Sequence, residues 1–235
     1  MKLYHFLVCG CMIFSLQAIE PILHYDFSDP AICKGRKFKV PEFVGNVEIG
    51  SEQNCIQLQP KNYLAIPDSS SLSLLEGGTL YAVVQFEADG KKDGTADAHD
   101  MLFFKNKSFL MGKDRGNLYF NLGDGSKWGK GIFCHVPIQK WCAAAVSVDK
   151  QINNNKTYYV LCMYIDGNLI KRVTWKFQGK NNTESVTFGK GWGGPWFMKG
   201  KVAEMRIYSV PLSPEECKEI SEESLRKLNT KNQHD

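Results

Sequence analysis

The sequence predicts an all-β chain: a two-sheet antiparallel jelly-roll sandwich with a short C-terminal helix. Three observations lead there. Residues 79–86 (TLYAVVQF), 141–148 (WCAAAVSV), 157–165 (TYYVLCMYI) and 168–177 (NLIKRVTWKF) are rich in β-branched and aromatic residues and have a period of two. Gly, Asn and Asp punctuate nearly every gap between such runs. Only the C-terminal segment reads as a helix. Many short strands joined by short turns make a sandwich.

Taken in order, the chain opens with Lys2, an uncharged apolar run over 3–16, and Gln17-Ala18. This is the pattern of a signal peptide over 1–18, which implies secretion. The run falls short of the roughly 20 apolar residues that span a bilayer, and no later stretch approaches that length. Further short strands fit at 22–27, 55–66, 101–104, 117–122, 186–189 and 196–208. Asp166-Gly167 signals a tight hairpin between the runs 157–165 and 168–177. In 157–165, Tyr159, Leu161, Met163 and Ile165 share one face, and Tyr158, Val160, Cys162 and Tyr164 the other. Both faces are apolar, so this strand is central, with its second face covered or lining a groove. Ser213 caps the helix, Pro214 suits its first turn, and Glu215 and Glu216 meet the positive end of its dipole. Ile220, Leu225 and Leu228 give it an apolar face. Without repeat or linker, residues 19–228 read as one domain and 229–235 as a polar tail.

The formal charge of +4 is too mild to demand nucleic acid. Six of the eight cysteines follow the leader: Cys33, Cys55, Cys134, Cys142, Cys162 and Cys217. An even number in a secreted chain favours disulfides. Cys33–Cys55 is one pairing. Cys134–Cys142 would leave Cys162–Cys217, and Cys142–Cys162 competes with both. No CxxC pair exists to suggest zinc. Sequons at Asn106, Asn155 and Asn181 fall in polar, turn-like segments suited to N-glycosylation.

Patterns that carry catalysis are missing. There is no HExxH, GxSxG or phosphate loop. His24, His99 and His135 are scattered and read as ordinary polar residues. GKGWGGPWF at 189–197 satisfies GxGxxG, but that fingerprint needs a strand before it and a helix after it, and here Pro195 follows. The acidic segment 88–100 holds Asp89, Asp93, Asp97 and Asp100 without the alternate spacing of a helix-loop calcium site, and reads as a solvated loop. Lys34, Arg36, Lys37 and Lys39 suit the sulfates of an acidic glycan, although a solvated loop is the plainer reading. Trp128, next to Lys127 in the glycine-rich loop GDGSKWGKG, fits a sugar-stacking platform and a packing role equally. Trp192, flanked by Gly191 and Gly193, reads as an exposed tryptophan on a loop tip. Trp175, inside its strand, reads as core.

The order of these pieces resembles a known family. His24-Tyr25-Asp26-Phe27, LAIPDSSSLSL at 64–74, TLYAVVQF, the strand from Trp141 to Asp149, MYIDG at 163–167, and GKVAEMRIY at 200–208 followed by LSPEE resemble the LamG-like jelly rolls of the concanavalin A-like lectin and glucanase fold. Pentraxins and laminin G modules belong to this group. The resemblance places 189–197 between the last two strands. It makes Trp196 a core residue beside Met198, with Phe197 on the opposite face. Family members often set an aspartate before the glutamate of the closing strand, where it serves a structural calcium. Here Ala203 precedes Glu204, and Asp26 alone does not hold the ion, so no metal or cofactor is expected. The fold hosts lectins, adhesion modules and glycosidases. Laminarinase-like members carry E-x-D-x-E along one strand, which is absent, so the chain is not expected to be an enzyme. The expectation is a secreted, non-catalytic module that recognises a glycan through loop aromatics and the concave sheet. A protein-binding adhesion or structural module is the alternative, and an atypical glycoside hydrolase the third reading.

Overall fold

The computed structural model describes residues 19–27, 33–34, 42–45, 48–50, 55–66, 72–87, 99–192 and 196–231. The signal peptide, Arg36, Lys37, Lys39 and Asp89, Asp93 and Asp97 lie outside them, as do the side chains of Cys33 and Lys34. The strands in chain order are β1 (Leu23–Asp26), β2 (Cys33–Lys34), β3 (Glu42–Val44), β4 (Glu48–Gly50), β5 (Cys55–Leu58), β6 (Tyr63–Ile66), β7 (Gly78–Phe86) and β8 (His99–Lys105). They continue with β9 (Phe109–Asp114), β10 (Asn117–Gly123), β11 (Trp128–His135), β12 (Trp141–Asn153), β13 (Lys156–Ile165), β14 (Asn168–Lys176), β15 (Val186–Phe188) and β16 (Gly200–Tyr208). A helix, α1 (Pro214–Lys231), closes the chain.

Sheet A runs β14-β13-β12-β7-β16-β1-β2, with β5 also on β16 and β4 on β5. Sheet B runs β11-β10-β9-β8-β15-β6-β3. Every pairing is antiparallel, as the sandwich reading requires. The main core lies between the sheets. Leu80, Ala82 and Val84 of β7 meet Leu102 and Phe103 of β8 and Leu118 and Phe120 of β10. Segment 55–66 is two strands rather than one. It turns at Lys61 (φ 77°) and crosses from sheet A to sheet B.

β13 behaves as its two apolar faces predict. Tyr159, Leu161, Met163 and Ile165 enter the main core, while Val160, Cys162 and Tyr164 face a second cluster with Cys217 and Leu228 of α1. The helix is therefore the cover for the second face. It starts with a capping box: Ser213 Oγ accepts from Glu216 N (3.2 Å) and Glu216 Oε2 accepts from Ser213 N (2.7 Å). It runs three residues past Leu228, where the polar tail was expected to begin. At the hairpin, Asp166 (φ 51°) and Gly167 (φ 77°) form the predicted tight turn. Cα of Lys218 on α1 would lie 2.6 Å from any Cβ at position 167, so the helix rests on that turn. Among the described residues, no helix is long and apolar enough to cross a membrane.

Under α1, Glu204 is buried with His24 Nε2 at 2.5 Å and Arg206 Nε at 2.7 Å. Arg206 reaches on to Ser224 of the helix and to the Tyr208 hydroxyl, each at 3.3 Å. Burial opposes the charge on Glu204, but His24 and Arg206 outweigh it and hold the carboxyl at about 2. Ala203 turns its methyl toward the helix cluster. A carboxylate already shared with a guanidinium does not fit a calcium ion.

Cys55, Cys134, Cys142, Cys162 and Cys217 are buried, and no disulfide joins them in this structure. Cys142 faces the main core and Cys162 the helix, so the Cys142–Cys162 pairing is excluded by their faces. Burial pushes the Cys134 thiol up to about 11 and that of Cys217 to about 12, which leaves both unreactive as thiolates.

Because the folded Glu204 titrates below its ordinary 4.5, its contribution is complete above that pH and is lost as pH falls toward 2. Urea unfolding of wild type and Glu204→Gln across this range should show their stability gap shrinking by about 3 kcal/mol. A constant gap would show that the carboxylate is not held this way. Chelation should leave the melting temperature unchanged, measured by a thermal scan with and without EDTA.

Candidate functional site

Trp128 stands where β11, an edge of sheet B, comes against β14, an edge of sheet A. The turn before it is built on Asp124. Its Oδ1 accepts from the Ser126 amide (2.8 Å), the Ser126 hydroxyl (2.7 Å) and the Lys127 amide (2.7 Å). The Ser126 hydroxyl and these amides pull the carboxyl down to about 2. The turn is tied to its neighbours by Gly125 N donating to Lys107 O (2.9 Å) and Lys180 N to Asp124 O (3.1 Å). Gly125 (φ 86°) has no room for a side chain, since a Cβ would lie 2.5 Å from the Lys180 carbonyl oxygen.

Between the two edges lies a cleft of about 480 Å³. Asp124, Lys127, Trp128 and Gly129 form one wall, and residues 174–178 the other. Trp175 and Phe177 are half-buried and rooted in the main core, with Phe177 edge-on to Tyr159 at 5.7 Å. Trp175 was expected wholly inside; instead it also lines the cleft.

Trp128 is not in a loop, as its glycine-rich setting suggested. It opens β11 and is half-buried. Trp192 packs edge-to-face on it at 5.5 Å, and Trp196 packs the same way on Trp192 at 5.1 Å. Trp196 stacks on His99 at 4.1 Å, and Phe104 lies 5.2 Å from Trp192. Trp192 is therefore the middle of a tryptophan chain, not a lone exposed indole. Trp196 is also corrected: Met198 enters the main core, but Trp196 joins the cluster of Met101, Phe104, Leu110 and Tyr119 on the outer face of sheet B. The three residues predicted to stack or hold a sugar, Lys127, Trp128 and Trp192, thus meet at one corner. Arg36, Lys37, Lys39 and the side chain of Lys34 lie outside the described residues.

Beyond the tryptophans, the outer face of sheet B continues with Tyr119, Asn121 and Phe133, the last 52% exposed. A Cβ at Gly112 would lie 3.2 Å from the Tyr119 hydroxyl, and one at Gly131 2.3 Å from Asn121 Oδ1. Tyr119 Oη and Asn121 Oδ1 are buried without a hydrogen-bond partner among the described residues. Burial, reinforced by Asp114 and Asp100, raises the Tyr119 hydroxyl, so it stays protonated.

Asn106 lies between β8 and β9, Asn155 (φ 57°) between β12 and β13, and Asn181 after β14. These turns share the cleft end of the sandwich, and Asn182 Nδ2 donates to Asn106 O across two of them (2.7 Å).

Asp124 is the one carboxylate on the cleft wall. Glycoside hydrolysis takes two, one of them protonated near neutral pH, whereas Asp124 is ionised. The walls offer stacking surfaces and polar groups suited to holding a ring, which is binding chemistry.

The family model described as the concanavalin A-like lectin/glucanases superfamily matches residues 59–218, more than half of the chain. No curated protein matches by sequence. Among solved structures, the chain is similar to the receptor-binding domain of a botulinum neurotoxin C/D mosaic serotype, at TM-score 0.66 and 15% identity. That match covers 86% of this chain and 51% of the other. It is also similar to the binding domain of botulinum neurotoxin DC in complex with rat synaptotagmin II, at TM-score 0.63 and 13% identity over 87% and 51% of the two chains. This chain thus spans about half of each toxin domain. Domain 4 of AbnA, a GH43 extracellular arabinanase from Geobacillus stearothermophilus, in complex with arabinotriose, matches over 87% of this chain and 100% of its own. Its TM-score is 0.62 and its identity 19%. At these identities the likeness is one of fold, a jelly roll.

If Asp124 organises the turn, Asp124→Ala should speed amide hydrogen exchange at Ser126 and Lys127 severalfold, since each amide loses its acceptor. Exchange read by NMR checks this, and unchanged rates at both amides would refute it.

Proposed function

We propose, from the premise that the chain belongs to the concanavalin A-like lectin/glucanases superfamily, that it is a secreted, non-catalytic module of lectin type. It holds a glycan in the cleft at Trp128. One observation carries this reading: a cleft of about 480 Å³ with aromatic rings on both walls and lysine, threonine and glutamine side chains between them. A sugar ring has an apolar face that stacks on an indole and hydroxyls that need hydrogen bonds, and the walls supply both. Trp192 contributes by buttressing Trp128. The domain of the arabinanase, bound to arabinotriose on the same fold, supports the reading.

A protein-binding module is the second reading. The exposed Phe133 beside Tyr119 on the outer face of sheet B favours it. So does the toxin domain in complex with synaptotagmin II.

Secretion sets the remaining chemistry. Cys134 and Cys142 share the main core, and Cys162 and Cys217 share the space beneath α1. These pairs close as disulfides in an oxidising compartment, and Asn106, Asn155 and Asn181 are the N-glycan sites. Cys33 is then left to Cys55.

A glycan array of the intact, secreted protein tests the function. Trp128→Ala should weaken the best ligand by about 2 kcal/mol, roughly thirtyfold in Kd, while far-UV circular dichroism stays unchanged. Absence of any glycan ligand for the folded wild type would remove the lectin reading. Loss of protein-partner binding on Phe133→Ser alone would install the second.

A further inference from the structure

The charges around the cleft are not balanced. Lys127 and Lys176 line it, and both are exposed. Neither ammonium is hydrogen-bonded or ion-paired to a carboxylate among the described residues. Lys107 and Lys180, also exposed, are tied by their backbones to the same Asp124–Gly125 turn. Against these four cations stands Asp124. Its Oδ1 already receives three hydrogen bonds from Ser126 and Lys127, which hold the carboxylate in the turn while it stays ionised. One negative charge thus faces four positive ones, and the turn presents Lys127 and Trp128 side by side. A neutral sugar would use the aromatic walls and the lysines as hydrogen-bond donors, and would leave their charges unanswered.

We propose that the glycan taken by this cleft is anionic, with a ring against the Trp128 and Trp175 walls and a carboxylate or sulfate held by Lys127 and Lys176. This rests on the lectin reading above and adds the ligand's charge to it. Ammonium–carboxylate and ammonium–sulfate contacts are charge-assisted hydrogen bonds, and at exposed lysines they weaken with salt. The cations at 34–39 are a separate stretch, so the site is distinguishable by substitution.

The test uses the full secreted chain and an array of neutral, uronate-bearing and sulfated oligosaccharides. Hexagalacturonate is compared with its methyl ester, and a sulfated hexasaccharide separates sulfate from carboxylate. Acidic glycans should bind best. Raising the salt from about 0.05 to about 0.5 M should weaken them roughly tenfold, because the Debye length shortens severalfold. Lys127→Ala with Lys176→Ala should cost acidic glycans roughly tenfold more than it costs neutral ones, which lose hydrogen bonds but no charge pairing. Both side chains are exposed, so the variant keeps its fold, checked by circular dichroism. Preference for neutral glycans, or acidic binding untouched by the double variant, overturns this inference and leaves the lectin reading standing. No glycan binding by wild type overturns both.

Discussion

The central strands of sheet A are apolar on both faces, and the rest of the molecule follows from that. β7, β12, β13 and β16 each send alternate side chains into the main core and into the cluster under α1. Such a sheet cannot leave either face in water without exposing a large apolar area. Sheet B covers one face and α1 the other. The helix is held by Cys217 and Leu228 and by the polar line from Glu204 through Arg206 to Ser224. Among the described residues, α1 is the one α-helix, and it lies on sheet A. On the outer face of sheet B, Met101, Phe104, Leu110 and Tyr119 pack with Trp128, Trp192 and Trp196. Aromatic surface is therefore gathered on that face and at the rim where the sheets meet.

The strands of sheet A and the helix were legible because their signals are local. A period of two, an Asp-Gly turn and a serine cap each lie within a few residues. β11 was not legible, because Gly129 and Gly131 make it look like a loop. They are there because the Leu122 carbonyl and the Asn121 side chain occupy the space a Cβ would need. Trp196 was assigned to the wrong face for a related reason. After Gly189 the chain makes only an isolated bridge, Lys190 to Phe197, so counting by twos back from Met198 fails. The cleft itself had no sequence signal. Its walls are about fifty residues apart in the chain, and nothing near Thr174 or Gln178 announces Trp128.

Sequence reasoning singled out Lys127, Trp128 and Trp192, which lie together at one corner. It missed how they are arranged. Packed edge to face, the tryptophans stiffen one another, and an indole whose rotamers are already fixed loses little entropy when a ligand arrives. The Asp124 turn does the same for the backbone beneath Lys127. Preorganisation of this kind suits a binding surface.

Gly167 joins two levels of the structure. Its positive φ makes the β13–β14 turn, and its bare Cα makes the seat for Lys218. The seat does not exist until the turn has formed. A side chain at position 167 would therefore disturb both the hairpin and the docking of α1, whose Lys218 lies about fifty residues further along the chain. One two-residue turn thus ties the edge of sheet A to its cover.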